Sequence, residues 1–477
     1  MGNVGLNFGS ATSGAGFDVS ATVTQIVNNM QLVEAPWKSQ LTKFGDQDTA
    51  LSSLGTQLSK LSTDLQNLTD FTGVLANKQG ASSDTGVLQL SSAATNAVAG
   101  THTIQVMSLA QISTAATDAI NAADSLTGGI TFKIGTGSWV TVNVGDGSTA
   151  KTLGGLAAAI NIADTGVTAN VLTNADGTVR LSLVSQTNGT AGQITIADSV
   201  SNPSNPTTLS DKSNPDAGLG LKTIQQGLDA SMLVDGVNLT SSSNTVSNAI
   251  PGVTFQLLAP SSSTTNSDGT KNYEQVQVAI TNDTSSVSSA MSTFVTDYNS
   301  ALKSISAQES NDASGNPEPL YGTSVLAQLQ DNLQSALNAT SNNGSITSLN
   351  SLGITANQDG TISLNSDTLN SALNNHYSDV ISFFQGDGNF GSTFATTLDN
   401  LGNDHTYGAI SLAMAENQGQ ETTLNENIAN EEVLIGTKKQ SLTAELNAAN
   451  QILQQIPALL DQINEMYSAI TGYNKNG

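Results

Sequence analysis

"MQLVEAPWKSQLTKFGDQDTALSSLGTQLSKLSTDLQNL", residues 30–68, places Met30, Trp37, Phe44, Leu51, Leu58 and Leu65 seven residues apart. Val33, Leu54, Leu61 and Leu68 fill a second track, with Gln40 and Gln47 as its polar members. Two apolar tracks at this spacing are the seam of a helix that winds against another helix, and polar seam residues weaken the pair while fixing its register. The other end of the chain repeats the pattern: Ile428, Ile435, Leu442, Ala449, Ile456, Ile463 and Ile470 recur every seven residues, with Leu446, Leu453, Leu460 and Tyr467 interleaved. Pro36 and Pro457 must each start a helix or bend one, so neither end reads as one straight rod. An ordinary buried core would also give such stripes. Long heptads at both termini favour ends that pack against copies of the chain or against a relative.

Between the ends the period changes to two. Residues 100–111, 138–145, 167–185 and 273–280 alternate apolar and polar side chains, with Gly, Asn and Asp turns between them. That is the pattern of half-buried antiparallel strands. Residues 201–220, rich in Ser, Asn and Pro, read as a loop or linker. Helical spacing returns at Val287, Met291, Phe294, Tyr298, Ala301 and Ile305, and a further helix is predicted over 323–337. "LGITANQDGTISLNSDTLNSALNNHYSDVISFF", residues 352–384, then predicts a hairpin turning at Asp359-Gly360 and a helix capped by Ser366 or Asp367 that carries Leu369 and Leu373. Val380, Phe383 and Phe384 continue its apolar face. With Phe294, Val295, Tyr298, Leu352 and Ile354 they are the candidate core of a helix-rich stalk.

At 477 residues the chain is long enough for several domains. Charged residues are only 11% of it, and 39 acidic against 14 basic residues leave a formal charge of −25. Phosphate backbones and anionic lipid would repel such a surface, which speaks against nucleic acid as a partner. Arg180 is the only arginine, and there is no cysteine to supply a disulfide or a thiol nucleophile. The N-terminal residues contain no basic region and no apolar run, the first basic residue being Lys38, so no cleavable secretory signal is readable. No segment is long and apolar enough to insert in a bilayer. A surface suited to the exterior without the usual leader points to an export apparatus that reads an uncleaved N-terminus.

Catalytic and metal chemistry finds little support. His102, His376 and His405 lie in unrelated contexts without ligand pairs, which predicts no metal site and no His-based catalysis. Residues 174–178 (NADGT) and 357–361 (NQDGT) lack the full spacing and terminal Glu of a calcium loop and read as turns between strands. Walker, HExxH and GxSxG motifs are absent from the sequence. No cofactor is expected, and the chain reads as a non-enzyme.

The order of parts resembles the flagellar hook-associated protein 2 family, the filament caps. Residues 16–41 look like the family opening, with Phe17, Asp18, Val19, Glu34 and Pro36 in its pattern. Residues 100–111 are similar to the strand that enters the inner head. Residues 232–258 match the family's returning hairpin at Asp235-Gly236, Asn244, Ile250 and Gly252. Residues 156–171 look like a small β motif of flagellins and hook-associated proteins, and residues 294–302 and 352–384 are the most family-specific pieces. The last helix, over 463–477, lacks the basic and aromatic residues of the family pattern.

Patterns and resemblance together give a multi-domain α+β chain with coiled-coil-like helical ends, a helix-rich stalk and inserted antiparallel β heads. Its expected parts are terminal assembly segments 1–40 and 412–477, a stalk of 41–80 and 284–411, an inner head of 81–116 and 226–283, and an outer head of 117–225 with the β motif near 150–200. The expected assembly seam is Met30, Val33, Trp37, Phe44, Leu51, Leu54, Leu58, Leu61, Leu65, Ile428, Ile435, Leu442, Leu446, Leu453, Ile456, Leu460 and Ile463.

The resemblance implies a secreted homo-oligomer at the distal tip of the bacterial flagellum, under whose plate exported flagellin folds and inserts. It also implies contact with the hook-filament junction protein and an export chaperone on the C-terminal segment. A surface adhesin holding polysaccharide, mucin or other host glycans through the Ser/Thr/Asn-rich head is the alternative, and an extracellular hydrolase a more distant third.

Overall fold

The computed structural model describes residues 15–146, 149–198, 202, 204, 207–211, 214–341, 344–402 and 407–472. Two compact units form, one of Met1–Asp70 with Ser288–Gly477 and one of Phe71–Val287. Among the described residues the α-helices are α1 (Val19–Gln31), α2 (Ala35–Thr69), α3 (Leu153–Ile162), α4 (Thr284–Ala307), α5 (Ser324–Ala336), α6 (Ser366–Asn375), α7 (Tyr377–Gln385), α8 (Phe390–Leu401) and α9 (Ala409–Thr471).

Local chemistry sets the helix ends. Asp18 caps α1 by accepting the Ala21 N–H at 2.9 Å. Pro36 sits in the first turn of α2, where its missing N–H costs nothing. α2 therefore runs unbroken through residues 40 and 41, where a division between terminal segment and stalk was expected. α9 continues through Pro457, which cannot donate to the carbonyl one turn earlier. The cap of α6 is Asn365, whose side chain accepts from the Asp367 and Thr368 N–H groups, and not Ser366 or Asp367 as the sequence suggested.

The first unit is organised by α2. Leu51, Leu54, Leu58, Leu61, Leu65 and Leu68 are all buried along it, and α7, α8 and α9 pack against it. A cluster of rings fills the space beside them: Phe390 stacks on Phe383 at 5.0 Å and meets Phe384 at 5.7 Å and Phe394 at 5.3 Å, while Phe294 of α4 meets Phe394 edge-on at 5.6 Å. Gly391 allows this approach, because a Cβ there would stand 1.9 Å from the Phe384 carbonyl oxygen. Strands Ile354–Ala356 and Ile362–Leu364 form the antiparallel hairpin, closed at Asn357–Thr361 with Gly360 at φ +81°.

The second unit contains two hydrophobic cores. In one, a five-stranded antiparallel sheet in the order 78–82, 276–282, 100–108, 230–234, 237–241 and a three-stranded sheet of 245–250, 253–257 and 88–93 enclose Ile104, Val106, Met232, Phe255 and Val278. In the other, strands 178–188 and 129–134 lead two further sheets, and α3 packs Leu153, Leu156 and Ile160 into a core with Phe132, Leu181 and Leu183. The stretch 156–171, likened to a β motif, is thus half helix: Thr152 caps α3, and a run of Leu, Ala and Ile sustains it before the strand at 167–173. The expected linker at 201–220 contains two short strands, Ser210–Asp211 and Asn214–Gly218, which pair with each other, and Ser210–Asp211 also pairs with Leu126–Thr127. Backbone pairing needs no apolar alternation, so composition gave no sign of it.

Candidate functional site

The heptad tracks at the two ends meet inside one chain. The Asn417 side chain donates to Asp48 Oδ1 at 2.7 Å, Glu432 attracts Lys38, Ile435 packs with Val19, Val23 and Val27, and the Phe17 N–H reaches Asn450 Oδ1 at 2.9 Å. Residue numbers rise along α1 and α2 as they fall along α9, so the N-terminal helices run antiparallel to α9. Over this length the two terminal seams, expected to pack against copies of the chain or a relative, meet within one subunit. Burying them within one subunit removes apolar surface from water without the loss of freedom that association carries.

The expected seam residues divide accordingly. Leu51, Leu54, Leu58, Leu61 and Leu65 are buried inside the first unit. Gln47, read as a polar seam member, is buried and donates to the Pro319 carbonyl at 3.0 Å. Met30, Leu442 and Leu446 are half-buried against the Val19, Val23, Val27 and Ile435 cluster. Trp37, Phe44, Ile428, Leu453 and Ile456 are half-buried, and Val33, Leu460 and Ile463 are exposed.

Beyond Asn450 the helix presents apolar side chains to solvent. Ile452, Leu459, Leu460, Ile463, Met466, Tyr467 and Ile470 are exposed, Ile463 by 54% and Ile470 by 83%. Leu32 and Val33 at the corner between α1 and α2, and Val433 and Leu434 on α9, add further exposed apolar groups. Glu34 stands at the same corner, 1% exposed, with one oxygen paired to Lys38 at 2.7 Å and the other unpartnered. Lys38 is held above its ordinary value chiefly by that hydrogen bond.

The stalk residues Phe294, Val295, Tyr298, Leu352, Ile354, Phe383 and Phe384 are all buried. Burial pushes the Tyr298 hydroxyl up to about 12. The Asp carboxylates of the two quoted DGT turns are engaged locally. Asp176 accepts from Thr178 N–H and Oγ1 at 3.0 and 2.6 Å, and Asp359 accepts from Thr361 at 3.1 and 2.6 Å. Residues 266–270 repeat the same bonds around Asp268, a third copy the sequence reading passed over. His102 pairs with Asp235 at 2.7 Å, His376 lies between α6 and α7, and His405 is outside the described residues. No described helix is long and apolar enough to cross a membrane.

Sequence reasoning missed Phe390 and Phe394, which follow the "QGDGN" break, and it gave no role to Asn299, Asp64 or Asp297. For the phenylalanines the signal was available in the spacing of 390, 394, 398 and 401. For the polar groups there was none, because their partners lie far away in the chain.

Among the described residues, helical ends folded back on each other in one unit, antiparallel sheets in the other and exposed apolar side chains on the distal part of α9 are the features of a structural subunit. Residues 15–113 match the model of the flagellar hook-associated protein 2 N-terminus, and residues 227–475 match that of its C-terminus. The chain belongs to the flagellar hook-associated protein 2 family. It is 27% identical over 472 residues to the flagellar hook-associated protein 2 of Escherichia coli K12, covering 97% of this chain and 94% of that one. It is 28% identical over 385 residues to the B-type flagellar hook-associated protein 2 of Pseudomonas aeruginosa, covering 76% and 75%. The crystal structure of the flagellar cap protein FliD D1-D2-D3 domains from Escherichia coli is similar at a TM-score of 0.56 and 26% identity, covering 77% of this chain and 99% of that chain.

Proposed function

We propose that the chain is a structural cap at the distal end of a bacterial flagellar filament, where several copies hold exported flagellin while it folds and inserts. The observation that carries this reading is the uncovered apolar face of α9 beyond Asn450, on a chain whose ends otherwise satisfy each other. Such a face gains roughly 25 cal/mol for each Å² of apolar surface that a partner protein removes from water. The cap offers confinement and a template, so its action needs no covalent step.

Val33, Trp37, Phe44, Ile428, Leu453, Ile456, Leu460 and Ile463 are the seam members left for partners in this reading. Those partners are further copies, flagellin and the hook-filament junction protein, with an export chaperone covering the C-terminal segment before export. The two cores of the second unit support a division into an inner and an outer head, and mutual repulsion of the acidic surfaces works against non-specific clumping of copies.

Removing the gene tests the reading. Unassembled flagellin should accumulate in the medium, and complementation should restore filaments. Filaments of normal length with only attachment lost would favour the adhesin, in which the head binds host glycans.

A further inference from the structure

Lys60 and Asp64 lie one turn apart on α2, and Asp297 faces them from α4. Lys60 Nζ donates to Asp297 Oδ1 at 2.8 Å. The Asp297 side chain is only 6% exposed. Its other oxygen, Oδ2, is buried without a hydrogen-bond partner, and so is Asp64 Oδ2. Asp64 and Asp297 thus flank one Lys60, each with a buried oxygen that lacks a donor, and each acts on the protonation of the other. Ionised carboxylates only accept, so two of them facing each other leave their buried oxygens without donors and one negative charge without a counterion. One proton cures both defects. Carried by Asp64, it supplies an O–H that donates to the Asp297 carboxylate, while Lys60 balances the remaining charge.

We propose that Asp64 and Asp297 share one proton between α2 and α4, and that its loss, as the medium goes from mildly acidic to neutral, loosens the helical unit at this contact. Burial first, then the hydrogen bond and charge of Asp297, raise Asp64 from 3.8 to about 6, against the pull of Lys60. Burial, the largest influence on Asp297, pushes it up as well, yet hydrogen bonds from Asp64 and Lys60 and the Lys60 charge hold it below its ordinary value. The charge that opposes protonation of the pair is Lys60, on the same face of α2, while Lys303 on α4 and Asp379 on α7 are the other charged groups on the neighbouring helices nearest in sequence to the contact residues.

The sign follows from proton linkage. The folded state holds the Asp64 proton more tightly than the unfolded chain, so its stabilisation is complete below 3.8 and is lost as the pH rises through about 6. The Asp297 contribution is present above 3.8 and is lost as the pH falls through its lowered value. The contact is firmest in weak acid and weaker at neutrality.

Thermal melting of the full chain, followed by far-ultraviolet circular dichroism at about pH 5 and about pH 8, tests this. The helical signal reports mainly the first unit, because α3 is the only described α-helix lying wholly in the second. The wild type should melt a few degrees lower at the higher pH. Asp64→Asn keeps a donor toward Asp297 at every pH, so it should abolish that difference and match the wild type in acid. A pH difference arising elsewhere in the chain would survive in the variant, and a difference unchanged by Asp64→Asn overturns the proposal. Should the variant fold poorly, carbon-13 spectra of aspartate-labelled wild type decide: one carboxyl with a midpoint of about 6 supports the shared proton, and all aspartates titrating in the ordinary range exclude it.

Discussion

Asn299, on α4, serves Ile362 as a third strand would: its Nδ2 donates to the Ile362 carbonyl at 2.8 Å and its Oδ1 accepts the Ile362 N–H at 2.7 Å. In the hairpin, Asn357 bonds to Thr361 and Asn365 to Gly353, so Ile362 faces Ala356 at a non-hydrogen-bonded position and turns both backbone groups outward. One amide side chain satisfies the pair. Asn299→Ala should destabilise the helical unit by about 1–3 kcal/mol, because it leaves a donor and an acceptor unmet. Asn299→Asp should cost at least as much, since a carboxylate cannot donate to the carbonyl. Urea titration of both variants checks this, and an unchanged midpoint in either would show that water replaces the amide.

Phe390 touches four other rings and is fully buried, so Phe390→Ala should cost about 3–5 kcal/mol. Phe390→Leu should cost clearly less. The order of the two variants in a denaturant melt is the test.

Ile435 and Ile463 share a heptad track and differ in cover. Ile435→Asp should loosen α1 from α9, because a charge would enter the cluster of Val19, Val23 and Val27. Ile463→Asp should leave the melting curve within about 0.5 kcal/mol of wild type, since the side chain is already exposed, and should abolish filament capping. Normal filaments in the Ile463→Asp strain would remove the distal face of α9 from the assembly surface.

Hydrogen exchange on the free subunit should fall into two regimes along α9. Amides near Ile435 and Leu442, packed against α1, should exchange slowly, whereas those between Ile456 and Ile470 should exchange fast, an isolated helix being marginal in water. Equal protection of both stretches would contradict this.

Residues 71–287 form a unit with two cores of their own, and expressed alone they should melt cooperatively. A broad transition without a midpoint would show that the β lobes depend on the helices.

Patterns that repeat along the chain were legible and particular partners were not. The heptads announced the terminal helices, alternation announced strands such as 100–108 and 178–188, and Asp359-Gly360 announced the hairpin. The cap of α6 was placed one or two residues late, because Asn, Ser and Asp stand side by side at 365–367 and each can accept from the backbone. The strands at 210–211 and 214–218 were taken for linker because their pairing uses only backbone.

By itself the sequence determined which faces of which segments are apolar, the acidic and cysteine-free surface, and the family resemblance carried by stretches such as 294–302. Periodicity is a local property, so it survives without coordinates. Only the tertiary structure decided what covers those faces: that Leu51 to Leu65 are spent inside the subunit, that α1 lies on Ile435 and leaves Ile463 exposed, and that Lys60 meets Asp297 across 237 residues of chain. Antiparallel return of the chain sets these meetings, and a seam of the same spacing would have served a partner in another molecule equally well.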